Sequence, residues 1–337
     1  MLPKFTWDID PILFYYPSWL SFLPGDGIRY YSLLYVGVFL GGYKLIDWQI
    51  RRAGGPEEDA SDFVVYGVIG TLVGSRVGHV FLYEWDHFVR DPMFIFQIHK
   101  GGLASHGGTI GLIVAMWFFT RAKRQAYLEG CDRFAYSAGL GSTLIRIGNW
   151  FNSEIVGRKT DQTWGVFFPR FDRDAAEPVY RHPSQLYEVA LGLFVLGTLY
   201  WWDKKLGEEK RPRGAMISMF FAVYFTGRFF VEYFKEFQAW AAGMPLTEGQ
   251  FYSIPPALLG YYGIYWSLKH KIPCIGTPKP TTVPPRTKSP KKSPRPPKKT
   301  NPPRRSTTKT STKNSADDGC LSLNRHGAKI AKNAKIF

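Results

Sequence analysis

The sequence predicts an all-α integral membrane protein: a seven-span transmembrane helix bundle with a small extracytoplasmic head and a disordered C-terminal tail. Three observations carry that expectation. Seven stretches of roughly 18 to 22 mostly apolar residues recur within residues 28–270, the length a helix needs to cross about 30 Å of hydrocarbon. Aromatics make up 17% of the 337 residues. Charge is also segregated: of 43 Lys and Arg against 27 Asp and Glu, residues 271–337 hold 17 of the basic groups and only two acids, Asp317 and Asp318. The first 270 residues, with 26 basic and 25 acidic groups, are nearly neutral. The net charge of +16 therefore describes a tail and does not make the body a nucleic-acid binder.

Residues 1–27 show no cleavable signal-peptide pattern. They gather Phe5, Trp7, Phe14, Tyr15, Tyr16, Trp19 and Phe22, which suits an N-terminal segment lying in the membrane interface. The body, 28–270, is expected to span near 28–48, 63–83, 103–120, 131–151, 185–202, 214–234 and 249–268. The third span opens on the Gly-rich GGLASHGG at 101–108, so a broken or re-entrant start is expected there. Residues 152–182 form an insertion with five basic and five acidic groups, read as a small head. Arg121, Lys123 and Arg124 after the third span, and Lys204, Lys205, Lys210, Arg211 and Arg213 after the fifth, mark those loops as cytoplasmic. Seven spans then put the N-terminus outside and the tail inside. That tail, a run of Pro, Lys, Arg, Ser and Thr, lacks the apolar surface to offset the entropy of ordering. Anionic lipid is its expected partner, and nucleic acid is not. Of the three cysteines only Cys131 lies in the body, which excludes a disulfide framework or a Cys-based metal site.

Several spans hold groups that inert membrane helices exclude. Arg76, Arg146 and Arg228 lie in the second, fourth and sixth, with His79 and His106 nearby and Glu232 four residues after Arg228. Each such charge costs about 2.5–3.5 kcal/mol on insertion scales, so the group implies a polar interior facing something anionic. A guanidinium fork grips phosphate at two points, and the commonest membrane phosphate is a lipid headgroup. Arg228 and Glu232, at i and i+4, can also simply pair. In RIGNWFNSEIVGR, residues 146–158, Arg146 and Asn149 share a helix face, with Asn152 and Glu154 where the helix should fray; Gly148 permits close helix approach. An arginine, two amides and a carboxylate suit a phosphoglycerol. His106 lies between paired glycines that would let a substrate reach the ring, and its ordinary pKa suits a general base. It has no second metal-like ligand one turn away. In RHPSQLYE, 181–188, Ser184 is a candidate N-cap, with Gln185 and Glu188 facing the bundle.

In order, RYYSLLYVG at 29–37, GSRVGHVFLY at 74–83, GGLASHGGTIG at 101–111, RIGNWFNSEIVGR at 146–158, WGVFFP at 164–169, RHPSQLYE at 181–188, GRFFVEYFKE at 227–236 and LTEGQFYSIP at 246–255 resemble the bacterial prolipoprotein diacylglyceryl transferases. The resemblance covers almost all of residues 1–270 and none of the tail. It implies a multi-pass enzyme of the bacterial cytoplasmic (inner) membrane that takes part in lipoprotein biosynthesis. This transferase would move the diacylglyceryl group of phosphatidylglycerol onto the lipobox cysteine thiol of a preprolipoprotein signal peptide, forming a thioether and releasing glycerol-1-phosphate. Carried over by motif, Tyr31, His106, Arg146, Asn149 and Arg228 would be catalytic. Arg146, Asn149, Asn152, Glu154, Gly157, Arg228 and Glu232 would bind phosphatidylglycerol. No metal, nucleotide or redox cofactor is expected. Ser32 and Ser153 stand where the family often has Gly. A membrane transporter or binder of anionic phospholipid without chemistry is the alternative reading; the chain shows no pair of similar halves, which many transporters have.

Overall fold

The computed structural model describes residues 5–20, 22, 25–97, 101–161, 163–236 and 245–274. Of the expected disordered tail, 271–337, residues 275–337 lie outside the described residues.

Among those described, seven helices run for 17 to 26 residues: α1 (Tyr30–Arg52), α2 (Glu58–Tyr83), α4 (Ser105–Ala122), α5 (Tyr127–Asn152), α6 (Ser184–Lys205), α7 (Ala215–Val231) and α8 (Glu248–His270). A short α3 (Trp85–Arg90) follows α2. The third long helix is continuous from Ser105 onward, so the glycines around His106 do not break it. Two stretches, Glu58–Tyr83 and Ala215–Phe234, are long and apolar enough to cross a membrane by length and composition alone. The others carry inward-turned polar groups that lower their average hydropathy: α5 buries Glu129, Asp132 and Arg133. Large apolar side chains point outward instead, among them Phe39 and Leu40 on α1, Leu193 and Phe194 on α6, and Leu258 and Tyr262 on α8. An apolar exterior around an interior that mixes apolar clusters with buried charges departs from the soluble pattern.

The helices pack as antiparallel neighbours, α1 with α5, α2 with α4, α5 with α6, and α7 with α8. Glycines set the closest approach. On α2, Gly70, Gly74 and Gly78 meet Gly107 and Gly111 of α4, where any Cβ would collide with the facing backbone. This is the small-residue spacing that lets membrane helices touch. Gly107 and Gly108 do not open the His106 ring to substrate as their spacing suggests. In the structure both are buried, Gly107 against Gly74 and Gly78 and Gly108 against Ser75 of α2.

Alternation of direction places the start of α1, α4, α6 and α8 and the end of α2, α5 and α7 at one end of the bundle. The opposite end is held by a buried ionic cluster. Asp203 of α6 pairs with Arg211 at 2.7 Å and Arg52 at 2.8 Å, and Arg133 approaches Glu129 at 3.3 Å. There Asp132 of α5 accepts from the backbone N–H groups of Gly214 (2.6 Å), Met216 (2.9 Å) and Ile217 (3.0 Å), capping α7 from a neighbouring helix. The first residues of the expected tail join this end: Arg213 N–H donates to Ile272 C=O at 2.8 Å, and Pro212 bridges Pro273.

Between α5 and α6 lies a small folded insertion. Strand β1 (Phe5–Thr6) pairs in parallel with β4 (Val166–Phe167), which pairs antiparallel with β5 (Tyr180–Arg181). A separate hairpin joins β2 (Ile12–Tyr15) to β3 (Gly27–Arg29). Trp7 lies against Trp150, donates to its carbonyl at 2.8 Å, and closes a small core with Val156, Val166 and Phe168. Part of the N-terminal segment is thereby built into the head, while Phe5, Phe14, Tyr15, Trp19 and Phe22 stay exposed.

Candidate active site

Helix α5 ends where the sequence predicts. Asn152 is its last residue, and Ser153 adopts φ 56°, ψ 38°, the left-handed conformation that terminates helices. Arg146, about two turns earlier, reaches Asn149 Oδ1 through Nη1 at 3.0 Å. Asn149 is buried and donates to Glu154 Oε2 at 3.3 Å, while Asn152 donates to Glu154 Oε1 at 3.1 Å. The Tyr31 ring of α1 lies on Gly148, whose missing side chain makes room for it, and its hydroxyl interacts with Asn149. Tyr31, Arg146, Asn149, Asn152 and Glu154 are thus brought together.

The centre of the site is a residue the sequence reading placed only as facing the bundle. Glu188, on the second turn of α6, is 3% exposed and gathers three cations. Its Oε2 lies 2.6 Å from Arg146 Nε, and its Oε1 lies 3.3 Å from Arg228 Nη1 and 2.9 Å from Lys235 Nζ. The Arg146 contact lies off the hydrogen-bond axis and is an ion pair, so Oε2 keeps hydrogen-bonding capacity. The i, i+4 pairing considered for Arg228 and Glu232 is replaced by a crossed pattern. Arg228 turns to Glu188, and Glu232 pairs with Lys235 at 3.2 Å. The reason is local: α7 stops at Val231 and residues 232–234 tighten into a 3-10 turn, which aligns Glu232 with the residue three further on.

Helix α6 is anchored by its first residues. Ser184 is not the N-cap: Pro183 holds that place, and the Ser184 hydroxyl donates to Ile155 C=O at 2.9 Å. Gln185 donates to Glu154 C=O at 2.8 Å, tying α6 to the end of α5. Gly157 bridges Lys235 and donates to His182 C=O at 3.0 Å. A Cβ there would strike His182 and the Phe234 carbonyl, so its observed part is close backbone packing. Arg181 clamps the same corner through Asp172 (2.7 Å), Glu236 and Gly157 C=O. Burial and the neighbouring Arg158 hold His182 below its ordinary pKa.

Helix α8 closes the other side. Thr247 and Gln250 form a reciprocal capping box, and Gly249 rests against the Glu232 carboxylate. That places a negative charge at a helix N-terminus, where the backbone dipole favours it. Tyr252, three residues on, faces the His106 ring with centroids 6.3 Å apart. His106 is exposed on the first turn of α4 and is not among the groups joined to Glu188. An apolar cleft of about 530 Å³ begins one turn beyond it at Thr109 and is walled by α4, α5, α7 and α8.

Arg76 corrects an expectation. It is buried, its guanidinium donates to the carbonyls of Phe94, Ile95 and Gly101, and it lies 4.5 Å from the Phe94 ring centroid. It therefore holds the connection from α3 to α4 and does not face a headgroup. Lys235, Gly249 and Glu188 were missed as site residues. The available signal was an acid, Glu188, inside an apolar span of a bundle already carrying unpaired arginines.

Known proteins resemble the chain over most of its length. A family model described as "Prolipoprotein diacylglyceryl transferase" matches residues 17–266. The phosphatidylglycerol–prolipoprotein diacylglyceryl transferase of Tolumonas auensis is 37% identical over 269 residues, covering 79% of this chain and 98% of its own. That of Pseudoalteromonas atlantica is 35% identical over 278 residues (80% and 94%), and that of Chloroherpeton thalassium 36% over 269 residues (78% and 94%). With a family model matched along most of its length and relatives of this similarity, the chain belongs to the prolipoprotein diacylglyceryl transferase family.

Proposed function

We propose that this transferase, which moves a diacylglyceryl group from phosphatidylglycerol to prolipoproteins, holds the lipid phosphate at the Arg146, Arg228 and Lys235 cluster. The observation that carries the reading is the convergence of these three cations, from α5, α7 and the segment after it, on the single buried carboxylate of Glu188. Glu188 and Glu232 offset part of this positive charge without occupying every donor of the two guanidinium groups. Asn149, Asn152 and Glu154 supply donors and acceptors for the glycerol hydroxyls, and Tyr31 braces Asn149.

The lipobox thiol attacks the glycerol carbon that bears the phosphate. A C–S bond forms, the C–O bond breaks, and the electron pair leaves on glycerol-1-phosphate. Arg146 and Arg228 stabilise that developing charge in a site shielded from water, where such stabilisation is strongest. A thiol with pKa near 8.5 is mostly protonated at neutral pH, so His106 takes its proton. The apolar cleft among α4, α5, α7 and α8 offers walls for acyl chains. We read all seven long helices as membrane spans, with the Glu188 end and the head outside and residue 270 inside; the outward apolar side chains and the basic loops support this.

The test is direct. Purified protein is incubated with phosphatidylglycerol and a lipobox peptide, and mass spectrometry looks for a diacylglyceryl adduct on the cysteine. Transfer to cysteine and none to a serine control is the expected result; no adduct on either peptide overturns the reading.

A further inference from the structure

We propose that Glu188 is a positioning residue for the phosphate site, which ties Arg146, Arg228 and Lys235 into one receptor and, by cancelling one of their charges, lets the phosphomonoester product leave. The inference rests on the phosphate reading above and adds a role for the carboxylate at its centre.

Three cations within 3.3 Å of one carboxylate would repel one another without it. Glu188 comes from a helix start that is itself fixed, through Ser184 to Ile155 and Gln185 to Glu154, so its position is set by the end of α5 that carries Arg146 and Asn149. The carboxylate meets Arg146 closest through Nε and Arg228 through Nη1. A guanidinium has five donors, so donors of both forks remain for a phosphate. Glu188 therefore orients two arginines borne by different helices without consuming them.

Its charge has a second consequence. Glu188, Glu232 and, through Asn149, Glu154 set three acids against the three cations. The product is a phosphomonoester that carries up to two negative charges at neutral pH, since its second pKa is about 6. Its charge beyond that of the phosphodiester is repelled by the Glu188 carboxylate, which favours release. Removing the Glu188 charge would make the site one charge more positive and hold the product more tightly.

The experiment measures transfer by the full-length protein in detergent–phospholipid micelles, with glycerol-1-phosphate added as inhibitor. Glu188→Gln is expected to lower kcat at least about tenfold while the apparent KM for phosphatidylglycerol changes little, and to tighten inhibition by glycerol-1-phosphate about tenfold or more. A merely structural glutamate would not strengthen product binding. Glu188→Asp, which keeps the charge, is expected to show wild-type inhibition with reduced kcat. Unchanged inhibition in Glu188→Gln, while Arg146→Gln relieves inhibition, would overturn the role of Glu188 and leave the phosphate site standing. Unchanged inhibition in both Arg146→Gln and Arg228→Gln would overturn the phosphate reading itself. Should Glu188→Gln fail to accumulate in the membrane, Glu188→Asp decides alone: a lower kcat at unchanged KM supports the proposal, and a wild-type kcat overturns it.

Discussion

The backbone of Gly249 lies so close to the Glu232 carboxylate that any Cβ at this position would overlap it. The glycine opens α8, a position where alanine is a better helix former. Gly249→Ala should therefore fold and enter the membrane normally while pushing Glu232 off Lys235. Misplacement by about 1 Å at such a site can cost on the order of 100-fold. The expected result is a fall in transfer of about 10- to 100-fold at unchanged protein level; wild-type turnover would show that Glu232 has no part in the chemistry.

Arg228→Ala and Asn149→Ala should both abolish measurable transfer, because each removes a group aimed at the phosphoglycerol. Loss of one preorganised donor to developing charge costs about 10²–10³-fold. Arg228 is partly exposed and Asn149 is buried in the Glu154 network, so Asn149→Ala should also lower thermal stability and Arg228→Ala should not. Immunoblots of membranes alongside peptide modification separate the two effects.

Much of this site was legible in the sequence where the determining contact is local. Arg146 and Asn149 meet because they are three apart on one helix, and α5 ends at Asn152 as its Asn-Ser pattern indicates. What could not be read depends on neighbouring helices. Nothing near Arg228 in sequence says that α6 will present Glu188, and the 3-10 turn that redirects Glu232 follows from how the chain leaves α7. Arg76 misled for the same reason: its partners are backbone carbonyls about 20 residues away, and a carbonyl has no residue signature. Asp132 likewise caps a helix that begins 83 residues later.

Ser153 sits at φ 56° with its hydroxyl buried and without a hydrogen-bond partner among the described residues. Both features disfavour serine, since a left-handed residue other than glycine is strained and a buried hydroxyl without a partner is costly. Ser153→Gly should stabilise the protein by about 1 kcal/mol, seen as a higher midpoint of thermal unfolding in detergent. A lower midpoint would mean that the hydroxyl has a partner that matters.

His106→Gln should slow transfer by about 10²–10⁴-fold if the imidazole collects the thiol proton. The loss should shrink as pH rises toward the thiol pKa near 8.5, where the nucleophile ionises unaided. A deficit that stays constant across pH 6 to 9 would assign the ring a packing role against Tyr252.

His182 gives the head a pH dependence whose sign is fixed by its surroundings. Burial, and then the positive Arg158 nearby, lower its pKa in the folded protein below the ordinary value of about 6.5. Between those two values the unfolded chain binds the proton and the folded one does not, so stability rises with pH through that window. The contribution is complete above about pH 6.5 and is lost as the pH falls below it. His182 Nδ1 lies 3.1 Å from the Tyr187 hydroxyl, and its backbone carbonyl holds Gly157, so protonation loosens the corner that carries Lys235. The unfolding midpoint of the wild type should therefore drop more steeply from pH 7 to pH 5 than that of His182→Asn, which cannot titrate. Parallel slopes would show that the imidazole has the same proton affinity in both states, and that the Arg158 charge is screened from it.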